Sequence, residues 1–267
     1  MNKNKMYQMG AVLMRVMFAS VLLAACQNST PPAPTLFPTQ PTSSGIIIAV
    51  DSGNAPFMYE KDNQAAGLYP LLLQEAFKRM GVPATVEAYP WKRALVMGES
   101  GEAGIGGIYK TELRLKIYDY SAPLFFEKLL IYVKKGNGFE FNTVNDLKGK
   151  TLGVMSGWSY GDIFDQAKAQ GLFKVEEVST DIANFEKLLL GRVDGVIAIE
   201  LTAQQIISEK QYVGQIEVLA TPLSINATYL VFAKSLQQTA LLEKFNTVLA
   251  AMRQDGTYDL LVSKSQQ

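Results

Sequence analysis

The chain has 267 residues, with 25 Lys and Arg against 25 Asp and Glu, no His and one Cys. Balanced charge argues against a nucleic-acid partner, since such binders carry a basic surplus. The absence of His removes the commonest general base and metal ligand, and with it a Ser-His-Asp triad; a single Cys excludes an intrachain disulfide, a thiolate metal cluster and a C-x-x-C redox pair, and no cofactor is expected.

Lys3 and Lys5 precede the apolar run Val16-Met17-Phe18-Ala19-Ser20-Val21-Leu22-Leu23, with Arg15 at its edge. The run is too short to span a bilayer, and its shape predicts a secretory signal over residues 1–25. It ends Leu23-Ala24-Ala25-Cys26, which resembles the bacterial lipoprotein processing site. That resemblance implies cleavage before Cys26 and lipid on its sulfur. Residues 26–45 carry five prolines among Ser and Thr, a composition that favours extended, solvated backbone. At ~3.1 Å per residue such a segment reaches roughly 50 Å. The neighbouring anchor favours a tether over an idle tail.

The pattern changes at Ile46. Ile46-Ile47-Ile48-Ala49-Val50 is a β-branched run that predicts a buried strand. Leu68, Leu71, Leu72, Ala76 and Phe77 lie on one stripe of a helix opened by Gly67 and closed by Gly81. A strand over 82–88, a short helix over 91–97, a glycine-bearing strand over 104–108 and a strand over 129–134 follow. Thr143 caps a turn through Leu147, and 150–155 is a strand. Ser159 caps a helix to Gln170, 174–178 is a strand, and Asp181 caps a helix over 182–190 that Gly191 stops. A strand over 193–199, a helix over 202–210, a strand over 227–233 and a helix over 236–252 complete the chain. Two β-α-β-α-β series, 46–108 and 150–199, predict an α/β fold with parallel or mixed sheets flanked by helices, arranged as two similar lobes.

Several segments, in this order, carry a resemblance: Asp51-Ser52-Gly53-Asn54-Ala55-Pro56-Phe57; Tyr89-Pro90-Trp91-Lys92-Arg93; the T-x-x-R of Thr111-Glu112-Leu113-Arg114 with Tyr120-Ser121-Ala122-Pro123; Asp146-Leu147-Lys148-Gly149-Lys150 with Gly153-Val154-Met155-Ser156-Gly157; Gly191-Arg192-Val193-Asp194; and Arg253-Gln254-Asp255-Gly256-Thr257-Tyr258. Together they resemble the bacterial extracellular solute-binding proteins of the polar-amino-acid type that serve ABC transporters, over about residues 46–263. The resemblance implies a two-lobed, periplasmic-binding-protein-like α/β fold with a ligand cleft between lobes joined by two crossover strands. Lobe 1 is then 46–133 plus 226–267, lobe 2 is 134–225, the hinges lie near 131–134 and 224–230, and ligand closes the lobes.

The same resemblance implies that Arg114 grips a ligand α-carboxylate, a task its planar fork suits. Thr111 adds a hydroxyl or caps the turn. Trp91 is a flat wall of the cleft or a core residue. Ser156, Gly157 and Ser159 precede a helix, where free N–H groups favour an anion or serve as ordinary caps. Asp51, Asn54, Gly107, Tyr109 and Glu200 sit in or beside loops that follow predicted strands, where open α/β sheets bind ligands.

The chain also departs from the family pattern. Ile199 occupies the place of the usual Asp for the α-amino group; Glu200 is its neighbour, but adjacent strand residues face opposite ways. Asn54 replaces a first-loop aromatic, Gly106-Gly107 followed by Tyr109 replaces Ser-Ser, and Arg93 adds a second cation. An acidic or non-standard small ligand is therefore also open. The expected function is capture of a small polar, carboxylate-bearing solute for an ABC transporter permease, by a lipid-anchored protein on the extracytoplasmic face of the cell membrane, with no catalytic residue. Two alternatives share the scaffold: a dehydratase-type enzyme using Glu200 or Asp51, and a sensory ligand-binding module.

Overall fold

The computed structural model describes residues 45–265; the expected signal, Cys26 and the tether lie outside the described residues. The first series runs β1 (Ile46–Asp51), β2 (Gly53–Asn54), β3 (Met58–Lys61), β4 (Gln64–Ala66), α1 (Leu68–Met80), β5 (Ala84–Tyr89), α2 (Trp91–Ser100) and β6 (Gly104–Tyr109). β7 (Tyr118–Tyr120) and the long β8 (Phe125–Lys134) lead to β9 (Thr151–Met155), α3 (Asp162–Ala169), β10 (Lys174–Val178), α4 (Asp181–Leu189), β11 (Gly195–Ile199) and α5 (Glu200–Glu209). β12 (Ile216–Val218), β13 (Ser224–Ala233), α6 (Thr239–Gln254) and α7 (Thr257–Ser265) close the chain.

The main sheet has the order β10-β9-β11-β8-β13-β6-β1-β5, with β12 beside β8 and β7 beside β13. β1 lies parallel to β5 and β6, and β9 lies parallel to β10 and β11. These are the two predicted series. β6 and β11 are buried along their whole length, as central strands of a sheet covered on both faces are, which is why they read as unbroken apolar or glycine runs. The halves join where β8 and β13 pair antiparallel, Phe125 opposite Thr228 through Leu129 opposite Ser224. Beyond that ribbon β8 pairs with β11 and β12, while β13 pairs with β6 and β7. Residues 131–134, expected at the hinge, are therefore bound inside one half, and the crossover lies at 125–129 with 224–228.

Helix α1 forms because Leu68, Leu72, Leu73, Ala76, Phe77 and Met80 share a stripe that is buried. The Phe77 ring meets Phe245 of α6 with centroids 5.9 Å apart; burying each such side chain is worth about 1.5–3 kcal/mol. Gly81, at φ +65°, ends the helix by donating to the Lys78 carbonyl. Two predicted caps fail. Helix α3 starts at Asp162 after Gly161, and the Ser159 hydroxyl instead donates to Asp165 and accepts the Gly161 N–H at 3.2 Å. The cap of α4 is Thr180, whose Oγ1 accepts the Ala183 N–H at 3.3 Å, while Asp181 is the first helical residue and is buried. The short strands β2–β4, β7 and β12 and the helix α7 were not expected; the first three build a small antiparallel sheet that carries Met58 into the interior. No helix among the described residues is long and apolar enough to cross a membrane.

Gly67 precedes α1 at φ +104°, and a Cβ there would lie 2.7 Å from the carbonyl oxygens of both Pro56 and Phe57. Backbone atoms cannot swing aside as a side-chain tip can. Gly67→Ala is therefore expected to cost on the order of 1–3 kcal/mol, measured by urea unfolding, whereas Gly171→Ala, at φ +72° but with no atom within 4 Å of the new Cβ, should lose less.

Candidate functional site

Both series contribute to a small cavity of 20 Å³, lined by Met58, Trp91, Gly107, Tyr109, Arg114, Glu127, Trp158 and Ser159. That volume accommodates about one water molecule. Gly107 is required by close approach: at φ +82°, a Cβ would sit 2.7 Å from the Tyr69 ring and 2.8 Å from Met58 Sδ. Trp91 and Trp158 also line an outer groove of 450 Å³ that includes Asp51, Lys92, Ser156 and Thr180.

Arg114 stands at the start of a short 3-10 turn, its N–H donating to Thr111 Oγ1 at 3.2 Å. Thr111 thus holds the turn. The guanidinium donates through Nη1 to the Tyr109 carbonyl at 3.1 Å. Burial depresses its pKa, with the neighbouring Tyr120 and Tyr118 opposing that, yet a guanidinium keeps its charge. Among the described residues no carboxylate pairs with it.

Glu127 lies within the crossover ribbon and is 2% exposed. The Tyr69 hydroxyl donates to Oε1 and the Tyr109 hydroxyl to Oε2; Thr228 Oγ1 donates to the Tyr69 hydroxyl at 3.1 Å. Burial pushes the Glu127 carboxyl up to about 7, against the two tyrosine hydrogen bonds that favour its charged form. Sequence reasoning missed Glu127, Met58 and Trp158. A signal existed for Glu127: it shares the period-2 face of Leu129 and Ile131, both fully buried, so the alternation puts an acid among core positions.

Where the series meet, Trp158 Nε1 donates to Asp51 Oδ2 at 2.9 Å and Asp51 Oδ1 accepts the Gly53 N–H at 3.0 Å. Burial raises the Asp51 pKa. Thr202 Oγ1 donates to Asn54 Oδ1 at 3.3 Å. Asp181, pushed up to about 7 chiefly by burial and also by the charge of Asp51, keeps one carboxylate oxygen without a partner, as Asn54 Nδ2 and both amide atoms of Asn184 do. Of the sequence-predicted residues, Arg114, Trp91, Tyr109, Gly107 and Ser159 meet in the cavity, and Asp51 and Ser156 line the outer groove. Thr111 and Asn54 are buried behind them. Glu200 is not brought in: it begins α5 and pairs with Lys128 at 3.0 Å with both side chains partly exposed, because a solvated ion pair holds its charge more readily than a buried seat. Ile199 is buried in the apolar core, and Arg93 stacks over the Tyr89 ring at 4.7 Å.

A buried acid whose folded pKa is raised binds its proton more tightly in the folded state. Its contribution to stability is complete below the ordinary carboxylate range and is lost as pH climbs through about 7. Stability of the ligand-free protein is thus expected to fall between pH 5 and 8, by on the order of a few kcal/mol. Denaturant titrations across that range should show the slope, reduced in Glu127→Gln and in Asp181→Asn; a flat profile contradicts the burial assigned to these acids.

A family model for bacterial extracellular solute-binding proteins, family 3, matches residues 46–265. The L-cystine-binding protein TcyJ of Escherichia coli (strain K12) is 27% identical over 222 residues, 82% of this chain and 81% of its own. The probable histidine-binding protein of Campylobacter jejuni is 23% identical, over 93% of this chain and 95% of its own. Among solved structures, an ancestral arginine-binding protein bound to glutamine matches with a TM-score of 0.67 at 27% identity, over 82% of this chain and 96% of that one. A histidine kinase sensor domain with similarity to periplasmic binding proteins shares the fold, with a TM-score of 0.72 at 18% identity, over 83% of this chain and 95% of that one. The match extends from β1 into α7, and the chain belongs to the bacterial extracellular solute-binding proteins, family 3.

Proposed function

We propose that this protein captures a small, amino-acid-like solute bearing a carboxylate between its two lobes and delivers it to an ABC transporter permease, while a lipid on Cys26 holds it at the outer face of the cell membrane. The observation that carries the ligand assignment is Arg114: a guanidinium facing the cavity whose one hydrogen bond among the described residues goes to a backbone carbonyl. A carboxylate matches the unused donors bidentately, and a desolvated site strengthens the contact. Among the proteins named above are an L-cystine-binding protein, a probable histidine-binding protein and an ancestral arginine-binding protein bound to glutamine, which supports the same class here.

Because 130–134 pair with β11 and β12, lobe 1 is proposed as 46–124 with 229–265 and lobe 2 as 130–223, turning about the ribbon of 125–129 and 224–228. Room for about one water implies that solute enters an opened form. Closure is then bridged by Asp51 with Trp158, Asn54 with Thr202, and the Glu112 N–H with Asp162 at 3.2 Å, contacts that water replaces on opening.

A thermal-shift panel of amino acids and organic acids identifies the solute class, a binder at 100 times its Kd adding about 2.7 kcal/mol. Arg114→Ala is expected to weaken the best carboxylate binder by about 2–5 kcal/mol, roughly 30-fold to a few thousand-fold. Unchanged affinity, or a panel in which no carboxylate stabilises the wild type, refutes the assignment. For the anchor, Cys26→Ser should move the protein from membrane to soluble fractions; equal retention with no lipid on Cys26 by mass spectrometry removes that part.

A further inference from the structure

A guanidinium and a carboxyl group line the cavity and are not paired with each other. Glu127 is buried and Arg114 partly buried, and neither forms an ion pair among the described residues. An uncompensated buried carboxylate is costly, and tyrosine hydroxyls bring hydrogen bonds without a counter-charge. We propose that Glu127 is the specificity-determining acid of this site, receiving the ammonium of an amino-acid solute whose carboxylate lies on Arg114. The proposal rests on the solute assignment above and supplies its missing half, because Ile199 is sealed in the core and Glu200 is engaged with Lys128.

The geometry suits the task. Each Glu127 oxygen accepts one tyrosine hydroxyl, from Tyr69 on α1 and Tyr109 on β6, and keeps lone-pair capacity for a further donor. Thr228 on β13 fixes Tyr69 in turn. The carboxyl group is thus held from two elements, with Thr228 on a third bracing Tyr69, and it forms no ion pair with Arg114 among the described residues. A solute with a carboxylate and a cation, held apart by its own carbon frame, compensates both ends at once. A plain organic acid leaves Glu127 unpaired, and a plain amine leaves Arg114 unpaired, so the pair rejects both.

The test is titration calorimetry with L-cystine, L-arginine, L-histidine, L-glutamine and the remaining standard L-amino acids, each beside its des-amino acid. Wild type is expected to prefer the tightest amino acid over its des-amino form by about 30-fold or more. Glu127→Gln should abolish that preference by weakening the amino acid about 30-fold while leaving the des-amino acid within about threefold. An independent readout in the wild type is the ¹³C resonance of the Glu127 carboxyl. Its titration near pH 7 should move down by about one unit or more on binding the amino acid and not on binding the des-amino acid. The titratable groups facing it, Tyr69 and Tyr109, are themselves held well above 10 and stay silent in that range. Wild-type binding of an amino acid with no loss in Glu127→Gln, or with no shift of the Glu127 resonance, overturns the role of Glu127 and leaves the solute assignment standing. Tighter binding of the des-amino acids overturns the role as well. Failure of every carboxylate to bind overturns both.

Discussion

The five-residue antiparallel pairing of β8 with β13 governs the arrangement of the rest. In the strand order it is the join between the two parallel cores, so any motion of one relative to the other passes through residues 125–129 and 224–228. The alternation of a strand then decides which side chains face inward. Phe126 points out to solvent, Glu127 points in, and Leu129 continues the inner face. The register places Glu127 opposite Asn226, two residues from the Thr228 that holds Tyr69. Crossover ribbon and buried acid are thus one element.

Several buried polar groups lack partners among the described residues. Asn54 Nδ2, Trp91 Nε1, Asp181 Oδ1 and the Asn184 amide are buried and unpaired, and each such group costs about 1–3 kcal/mol. A chain selected for stability alone would fill these positions with apolar side chains. The apolar core beneath, with Ile48, Leu72, Phe77, Ile105 and Phe245 at or near zero exposure, carries the stability that tolerates them. The acids behave alike: Asp51, Asp181 and Glu127 are all shifted upward by burial.

Most of the parallel framework was legible in the sequence, because strands buried on both faces leave unbroken apolar runs such as 46–50 and 195–199, and helices such as α1 leave a stripe closed by glycine. Short edge strands and the two caps were not. Ser159 and Asp181 have the right chemistry for a cap, but Thr180 lay one residue nearer the true start and Ser159 found Asp165 instead. Arg114 was visible through the T-x-x-R pattern of the family. Glu127 was hinted at by its place on the inner face of β8, but its partners were not, since Tyr69 and Tyr109 lie 58 and 18 residues away in sequence. Glu200 misled for the converse reason: proximity to the expected position in sequence placed it on a helix start beside Lys128, where solvent offered an easier pair.

The central claim is that the cavity holds opposite charges apart so that a zwitterion must join them. A crystal structure of the wild-type protein with the amino acid that stabilises it most decides the matter directly. The account predicts the solute carboxylate on the Arg114 guanidinium, its nitrogen in hydrogen-bond contact with a Glu127 oxygen, and its body between Trp91 and Trp158. A solute seated only in the outer groove, with Arg114 turned to pair with Glu127, would contradict it.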